Sequence, residues 1–254
     1  MIKIRVVENK IIPFDNENVI INNESITFIN NGNYSIDYIN CYDISFNIVI
    51  EKNVCINLFE YSNNNNFSSN NSYFLDSNSS IIVNKFYYND NCNENINIYL
   101  NGEKSNIKYN FSCISENNNK FIINIYHKNN STSSDIFNRT VSKEKSSNVF
   151  DINSYVNNGI KNCYINQQTK IITLGDSNNK INPNMYIGEE STTAVHSSVV
   201  GRINDDELFY LMSRGIDYKT SLNLIIKGII LSNINADMEY MERILKILDR
   251  FGGE

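Results

Sequence analysis

The stretch ISFNIVI, residues 44–50, alternates apolar and polar side chains over most of its length. A period of two is that of a β-strand with one buried face, because successive side chains point to opposite sides. Similar short runs recur between about residues 17 and 190, and no helical period interrupts them. The sequence therefore predicts a mainly β fold made of many short strands. The further runs include 54–58, 95–98, 107–113, 121–125 and 171–174.

The segments between these runs are rich in Asn and Ser, whereas the whole chain holds only 10 Gly and 2 Pro. Asn tolerates the left-handed backbone region, so we expect it to occupy the turn positions. Two segments, NNNNFSSNNS (63–72) and KNNSTSSD (128–135), are predicted to be surface loops. Short strands at this spacing are typical of a sandwich, a barrel or a β-solenoid, in which each coil buries the apolar face of the next.

Three short helices are predicted after the strand-rich body. Asn204 followed by Glu207 is typical of a capping box, and Gly215 is expected to end the first helix. Asp217 is expected to cap the second helix, and the third is predicted from about Asp237 to Arg250. The chain therefore changes from strands to helices near its C-terminal end.

The second and third helices each carry one apolar stripe with the helical period. Gly252 and Gly253 are expected to end the third helix. Two domains are predicted on this basis: a β core with a short N-terminal segment over 1–202, and a helical subdomain over 203–254. The stripe residues are Leu222, Ile225, Ile226, Ile229 and Ile230 in the second helix, and Met238, Met241, Ile244, Leu245 and Leu248 in the third.

The composition narrows the classes of partner. The net charge is −6 with the 22 Lys and Arg scattered, which argues against nucleic acid as a partner. The first residues do not resemble a signal peptide, and no apolar stretch has the length of a membrane span, so we expect a cytoplasmic protein without a membrane partner. The 5 Cys form no CxxC pair, so neither a disulfide framework nor a zinc site is indicated.

Residues 183–216 resemble the C-terminal signature of the SufB/SufD family, the scaffold subunits of the SUF iron–sulfur cluster assembly system. Weaker similarity in 47–62 and 146–174 extends the resemblance to roughly residues 28–250. The positions that match the signature are Pro183, His196, Gly201, Ile203, Asn204, Leu208, Phe209, Tyr210, Leu211, Ser213, Arg214, Gly215 and Ile216.

The resemblance implies a right-handed parallel β-helix followed by a small C-terminal α-helical subdomain. Family members usually carry a further N-terminal helical region, so this chain resembles a shortened member. The resemblance also implies a scaffold that pairs with a second SufB/SufD-type subunit, as a heterodimer or a homodimer, and docks a SufC-type ABC ATPase. The docking residues implied are Leu208, Phe209, Tyr210, Arg214, Gly215 and Ile216.

We expect Leu208 and Leu211, with Phe209 beside them, to form the core side of the first helix. Since two adjacent aromatic residues cannot both face inward, one of Phe209 and Tyr210 should point outward. The chain contains no GxxxxGK[ST] phosphate-binding loop, so we expect no enzyme here and ATP hydrolysis in the partner.

A transient iron–sulfur cluster is the cofactor that the resemblance implies, and iron and sulfide chemistry favours thiolate and imidazole ligands. His196 occupies the family's His position, and Cys163 lies near the family's functional groups. Ala194 stands where the SufD type has Cys, and Val195 and Ser197 stand where the SufB type has Glu. These departures favour a more SufD-like, structural role.

Structural alternatives remain open for each candidate ligand. His196 would serve equally well as a core or interface histidine, and each Cys is expected to be a buried thiol. His127, at the end of a strand, is expected to lie on the surface. A different function, that of a β-solenoid carbohydrate-active enzyme or adhesin, also fits the stacked strands. The missing export signal and the helical tail argue against it.

Overall fold

A parallel β-solenoid of about six turns, followed by three helices, is the architecture of the computed structural model, which describes residues 1–14 and 16–251. This outcome confirms the mainly β prediction and selects the solenoid among the three alternatives. The strands are β1 Ile2–Val7, β2 Lys10–Ile11, β3 Val19–Ile21, β4 Ser25–Phe28, β5 Gly32–Ile39, β6 Asp43–Ile44, β7 Asn47–Ile50, β8 Cys55–Ser62, β9 Phe67–Leu75, β10 Ser80–Tyr87, β11 Cys92–Leu100, β12 Asn106–Ser115, β13 Asn118–His127, β14 Ser133–Ser142, β15 Ser147–Val156, β16 Tyr164–Thr173, β17 Asn178–Ile187 and β18 Thr193–Arg202.

Each turn of the solenoid contributes one strand to each of two sheets. The first sheet has the order β18-β16-β14-β12-β10-β8-β5-β1-β2, and the second has the order β17-β15-β13-β11-β9-β7-β4-β3, with β6 beside β9. Neighbouring strands are parallel along both sheets except at the N-terminal end. In-register positions therefore stack in columns, and stacked Asn side chains 24 to 31 residues apart in the chain bond to one another.

Asn occupies many of the tight turns, as predicted. Asn53 and Asn78 have φ values of 62° and 56° on successive turns, and Asn162 has a φ of 58° at the equivalent corner further along. Lys104 and Ser131 take the same left-handed conformation on the turns between them. The amide of each residue bonds to the next turn: Asn53 N lies 3.0 Å from Ser77 O, for example.

The core lies between the two sheets and is formed by the inward side chains of the alternating runs. Ile48 and Ile50 are fully buried, while Asn47 between the core positions is exposed. The period-two prediction of the core is thus confirmed for this run. The other buried inward side chains of the predicted runs are Ile44, Phe46, Val54, Ile56, Leu58, Ile96, Ile98, Ile107, Tyr109, Phe111, Cys113, Phe121, Ile123, Ile125 and Ile171.

The prediction of two surface loops was wrong for part of each segment. Residues 67–72 form the first part of β9, and 133–135 begin β14. Asn71 is fully buried, and its side-chain oxygen accepts a hydrogen bond from Phe46 N at 3.2 Å. Asn-rich sequence forms strands here because the stacked turns supply amide partners that an isolated strand lacks.

The two ends of the solenoid differ. At the N-terminal end the short strands β2 and β3 turn back and pair antiparallel with β1 and β4. At the C-terminal end, β17 and β18 are ten-residue edge strands, each paired on one side only within the described part of the chain. The last turn consequently leaves a full-length row of backbone groups unpaired on each sheet.

The helices are α1 Asp205–Ser213, α2 Tyr218–Leu231 and α3 Met238–Phe251. The Asn204 side chain caps α1 by accepting a bond from Asp206 N, and Gly215 follows the helix with a φ of +87°. Asp217 caps α2 through Thr220 N at 3.0 Å. These predicted helix ends are confirmed, whereas the predicted stop at Gly252 and Gly253 lies outside the described residues.

Helices α2 and α3 lie across the outer face of the first sheet. Their buried side chains join those of β8, β10, β12 and β14 in a second apolar cluster. The predicted stripe of α3 was wrong at Met238, which is 81% exposed, because Tyr240 packs against Phe59 and Tyr61 and turns a different face inward. The cluster contains Phe59, Tyr61, Phe86, Ile114, Val141, Ile226, Ile230, Ile234, Tyr240, Ile244, Ile247 and Leu248.

Candidate functional site

His196 lies on the interior side of the last turn. It pairs in register with Gln167 of β16, whose side chain is 1% exposed inside the solenoid. Gln167 Nε2 donates to Ser154 Oγ at 2.8 Å across the interior. His196 occupies the next position of the same column, yet it is exposed because no further strand covers it. The imidazole is thus presented at the open end of the solenoid.

The exposed end combines this imidazole with apolar side chains. Val195 and Val199 on the outward side of β18 are 50% and 47% exposed, and Val200 on the inward side is also 47% exposed. On β17, Tyr186 is 55% exposed. Pro183 lies within β17, a position that suits an edge strand because Pro offers no backbone N–H.

Cys163 is buried close to the start of β16, with 2% exposure, among Val156 and Ile165. Its Sγ lies 3.4 Å from Thr132 Oγ1. The Cys163 carbonyl accepts a bond from Thr193 N at 2.9 Å, so Cys163 adjoins the first residue of β18.

The structure does not bring the two candidate ligands together. Since His196 pairs with Gln167, four positions beyond Cys163, the two residues are separated by about 13 Å along the strands. Among residues 1–14 and 16–251, no group of three or more His, Cys, Asp and Glu side chains is placed to hold a metal ion. Glu189 lies in the loop between β17 and β18, and its Oε2 accepts a hydrogen bond from Gly159 N at 3.1 Å.

The prediction that His127 lies on the surface was wrong, because the side chain is 1% exposed. Nδ1 lies 2.8 Å from Thr132 Oγ1, and Nε2 lies 3.1 Å from Ser134 Oγ. Burial lowers the pKa of His127 to about 4, so the ring is neutral at physiological pH. The alternation that places Ile125 inward also places residue 127 inward, and this signal was present in the sequence.

The remaining thiols follow the alternation too. Cys41, Cys92 and Cys113 are buried as expected, and burial raises the pKa of Cys113 to about 12. The expectation of a buried thiol was wrong for Cys55, which is exposed. Its neighbours Val54 and Ile56 face inward, so Cys55 between them faces outward.

An ionic cluster in the middle of the interior was not anticipated from the sequence. Lys85 of β10 pairs in register with Glu60 of β8, and its Nζ lies 3.3 Å from a Glu60 oxygen. Glu94 of β11 reaches the same ammonium group at 3.0 Å from across the interior. Glu60 and Lys85 are fully buried, and Glu94 is 2% exposed. The three side chains occupy inward positions, so the period of two indicates their burial.

Hydroxyl groups complete the bonding of the two carboxylates. Tyr38 and Tyr73 donate to Glu60, the former at 2.7 Å, while Tyr87 donates to Glu94 at 3.0 Å. Burial alone would lower the pKa of Lys85, but the two carboxylates raise it well above its ordinary value. The cluster is closed to solvent and is a structural part of the core.

Helix α1 carries the residues of the predicted docking surface. Phe209 and Tyr210 are 73% and 57% exposed, and the Arg214 guanidinium lies 5.3 Å from the Tyr210 ring centre. Leu208 and Leu211 are partly covered. The placement of Phe209 on the core side was wrong, because α1 buries none of its side chains completely and both aromatic rings face outward.

The SufBD core domain model of the SUF system for iron–sulfur cluster assembly matches residues 17–229. The chain belongs to the SufBD family. Two SufBD-related proteins match parts of it: the iron–sulfur cluster assembly protein SufD of Bacillus subtilis is 30% identical over 101 residues, or 39% of this chain and 23% of that protein. A SufBD family protein of Pyrococcus horikoshii is 36% identical over 55 residues, or 21% of this chain and 12% of that protein.

The matches to these two SufBD relatives thus span less than a quarter of either relative. The span of the SufBD family model covers β3 to β18, α1 and most of α2, whereas β1, β2 and α3 lie outside it. No described helix of this SufBD chain is both long and apolar enough to cross a membrane.

Proposed function

We propose that this chain is a scaffold subunit of the SUF iron–sulfur cluster assembly complex, nearer in role to the SufD type. It pairs with a second SufB/SufD-type subunit through the open end of its solenoid and docks a SufC-type ABC ATPase through α1. The observation that carries the proposal is the pair of long edge strands β17 and β18, each with one side unpaired among the described residues, in a chain of the SufBD family.

Pairing follows from the chemistry of these edges. A long edge strand without blocking charges or Pro readily pairs with another chain, and natural monomers cover or shorten such edges. β18 is free of charge up to its last residue, whereas β17 carries Lys180 and Pro183, so β18 is the edge that favours pairing more. Val195, Val199 and Val200 of β18 add exposed apolar surface that pairing would remove from water. Antiparallel addition of two such ends would continue both sheets from one subunit into the other.

Docking of the ATPase is assigned to α1 because its two aromatic side chains are largely exposed. Large exposed aromatic residues beside an Arg are the side chains most enriched at the centres of protein interfaces. Phe209, Tyr210 and Arg214 form such a group on one short helix. Gly215 and Ile216 set the turn from this helix into α2.

The cluster is the cargo of the proposed assembly, and of the two candidate ligands His196 is the exposed one. His196 would face the second subunit across the paired ends, so additional thiolate or carboxylate ligands would come from that subunit. Cys163 could ligate iron only after the last turn opens, since its thiol is covered. We assign no catalytic residue, and ATP hydrolysis belongs to the partner.

Docking is tested by co-expressing the chain with the SufC-type ATPase of the same genome and measuring the mass of the complex by light scattering. The Phe209→Ala/Arg214→Ala variant should lose the complex while keeping its circular dichroism spectrum. Met238→Ala is the matched control, because Met238 is an exposed apolar residue on α3. A well-folded wild-type chain that forms no complex would refute the docking proposal.

Pairing of the two scaffold subunits is tested separately, by placing charges on the edge strand β18. The Val195→Lys/Ser197→Lys variant places two charges on the outward side of β18, and charges on an edge strand oppose further pairing. Sedimentation should show loss of the heterodimer or homodimer, with ATPase docking retained. Ile82→Lys, a change at an exposed position of the inner strand β10, should leave pairing unchanged.

A further inference from the structure

A cleft of about 530 Å³ lies between the outer face of the first sheet and helices α1 and α2. Its floor is formed by β14, β16 and β18, and its wall by the turn into α1 and by α2. It borders the open end of the solenoid, because Val199 of β18 lines both, and the exposed aromatic residues of α1 are not among its lining. Its floor on β14 and β16 lies outside both the pairing surface and the docking surface.

Two cations lie side by side on the floor of this cleft. Arg139 of β14 pairs in register with Lys170 of β16, and both line the cleft. Adjacent like charges on one face of a sheet repel each other, so the pair is unfavourable without an anion. Neither side chain forms a salt bridge with any residue of the described ranges.

Arg139 is only partly exposed and makes one hydrogen bond, from Nη1 to the Asn138 carbonyl at 3.0 Å. The guanidinium forms no other hydrogen bond with a described residue, and burial lowers the pKa of Arg139 from its ordinary value. A half-buried guanidinium with free donors suits a planar or tetrahedral oxyanion, which can accept two parallel bonds from it.

The other charges of the cleft leave it positive. Arg202 at its rim pairs with the exposed carboxylate of Asp176 at 3.4 Å. Glu207 of α1 is the lining carboxylate, and it forms no salt bridge with a described residue. Arg139 and Lys170 thus outnumber the unpaired acid, in a chain whose net charge is −6.

The cleft is larger than an inorganic anion requires, and much of its lining is apolar. Ile172 of β16 and Ile225 and Ile229 of α2 face it from both sides. A pocket of a few hundred Å³ with apolar walls and a few convergent polar groups is typical of a small-molecule site. The size, the apolar lining and the positive charge of the cleft together suit a ligand in which an oxyanion is attached to an apolar body.

We infer that this cleft binds a small organic anion, with its phosphate or carboxylate group held by Arg139 and Lys170 and its apolar body held between β16 and α2. Bound there, the anion offsets the repulsion of the two cations and bridges the solenoid to α2. Binding of such an anion is thus coupled to the packing of the helices that follow β18.

The first test is titration calorimetry of the chain with phenyl phosphate, benzoate, inorganic phosphate and phenol. Phenyl phosphate or benzoate should bind, with an affinity about tenfold or more above that of inorganic phosphate or phenol, because only the first two combine both groups. Comparison of phenyl phosphate with benzoate distinguishes a phosphate ligand from a carboxylate ligand.

Variants then assign the binding to the cleft. Arg139→Met/Lys170→Met keeps the apolar stems but should weaken the organic anion at least about tenfold, as expected for the loss of charge-assisted hydrogen bonds. Glu207→Gln should strengthen binding by roughly twofold to fivefold, since it removes the opposing carboxylate. Lys52→Met, a change of an exposed Lys outside the cleft, is the matched control.

The inference is overturned if none of the organic anions binds, or if they bind equally well to the Arg139→Met/Lys170→Met variant. Loss of binding in the Lys52→Met control would show an unspecific response to net charge and would overturn it as well. Because the titrations need neither a second scaffold nor the ATPase, their failure leaves the proposed scaffold function untouched.

Discussion

The interior of the middle turns and the interior of the last turn both carry polar side chains, and they differ in what covers them. In the middle turns, Lys85 lies between Glu60 and Glu94 without exposure to solvent. In the last turn, His196 continues an interior column but faces solvent. Strand neighbours on both sides thus make a polar interior residue structural, whereas a missing neighbour leaves it free for a ligand or a partner.

Removal of the middle cation should give the largest effect on stability. Lys85→Met leaves two carboxylates buried without their counter-ion, so the free energy of unfolding should fall by about 3–5 kcal/mol, or the chain should fail to fold. Urea denaturation followed by circular dichroism measures the change. Lys120→Met, at an exposed position of β13, should stay within about 0.5 kcal/mol of wild type.

A rescue variant sharpens this prediction. Glu60→Gln and Glu94→Gln added to Lys85→Met remove the buried negative charges and should recover a measurable part of the lost stability, since neutral side chains avoid the cost of an unpaired buried charge. If the single Lys85 variant were as stable as wild type, the middle cluster could not be called structural.

Acidification should give the next largest loss of stability, because it protonates His127, which is buried in the solenoid interior. Its pKa is about 4 in the folded chain, below its ordinary value of 6.5, so the unfolded chain binds the proton more readily. Its contribution to stability is complete above pH 6.5 and is lost as pH falls toward 4, by about 3 kcal/mol in total. The slope of unfolding free energy against pH should be shallower in His127→Gln between these limits, and equal slopes would contradict the assignment.

Gly102 lies in a crowded turn, whereas Gly201 lies in β18 at the open end. A Cβ added at Gly102 would lie 1.9 Å from Ser77 N, whereas a Cβ at Gly201 would meet no atom within 4 Å. Gly102→Ala should therefore lower the free energy of unfolding by about 1–3 kcal/mol, and Gly201→Ala should change it little. Thermal denaturation of the two variants measures the difference, and equal stabilities would contradict the tight packing at Gly102.

The smallest effect on stability is expected at His196. Because its side chain is exposed, His196→Ala should change the free energy of unfolding by less than about 0.5 kcal/mol. The same variant should reduce iron–sulfur cluster formation on the paired scaffold, measured by absorbance after anaerobic reconstitution. A loss of stability comparable with that of Lys85→Met would place His196 among the structural residues instead.

The period of two predicted most of the solenoid, because each turn buries alternate residues in the same way. The composition was misleading in 63–72, which was predicted to be a loop from its Asn and Ser content. The stacked turns supply hydrogen-bond partners there, so the Asn-rich sequence forms the first part of β9. The residues of the candidate site were predicted from a resemblance, and alternation alone could have placed His127, Lys85 and Glu94 inside. The cleft around Arg139 could not have been predicted, since it depends on where α2 packs against the sheet.

The placement of α2 and α3 has a consequence for how the molecule opens. In a solenoid each turn contacts only its neighbours, so stability is distributed along the stack and opening begins at an end. Arg243 of α3 bonds Asp37 of β5 at 3.1 Å, and Glu239 bonds Lys3 of β1. The two helices also pack on β8, β10, β12 and β14.

These contacts bind the first and middle turns into one cooperative unit, whereas the last turn meets the helices at its end, through Ile203 after β18. Among the strands, amide hydrogen exchange should therefore be fastest in β17 and β18. It should be markedly slower in β14 and in the strands that precede it. Fraying of this one turn would expose Cys163 without unfolding the chain, so the thiol is kept covered by the least stable element of the structure.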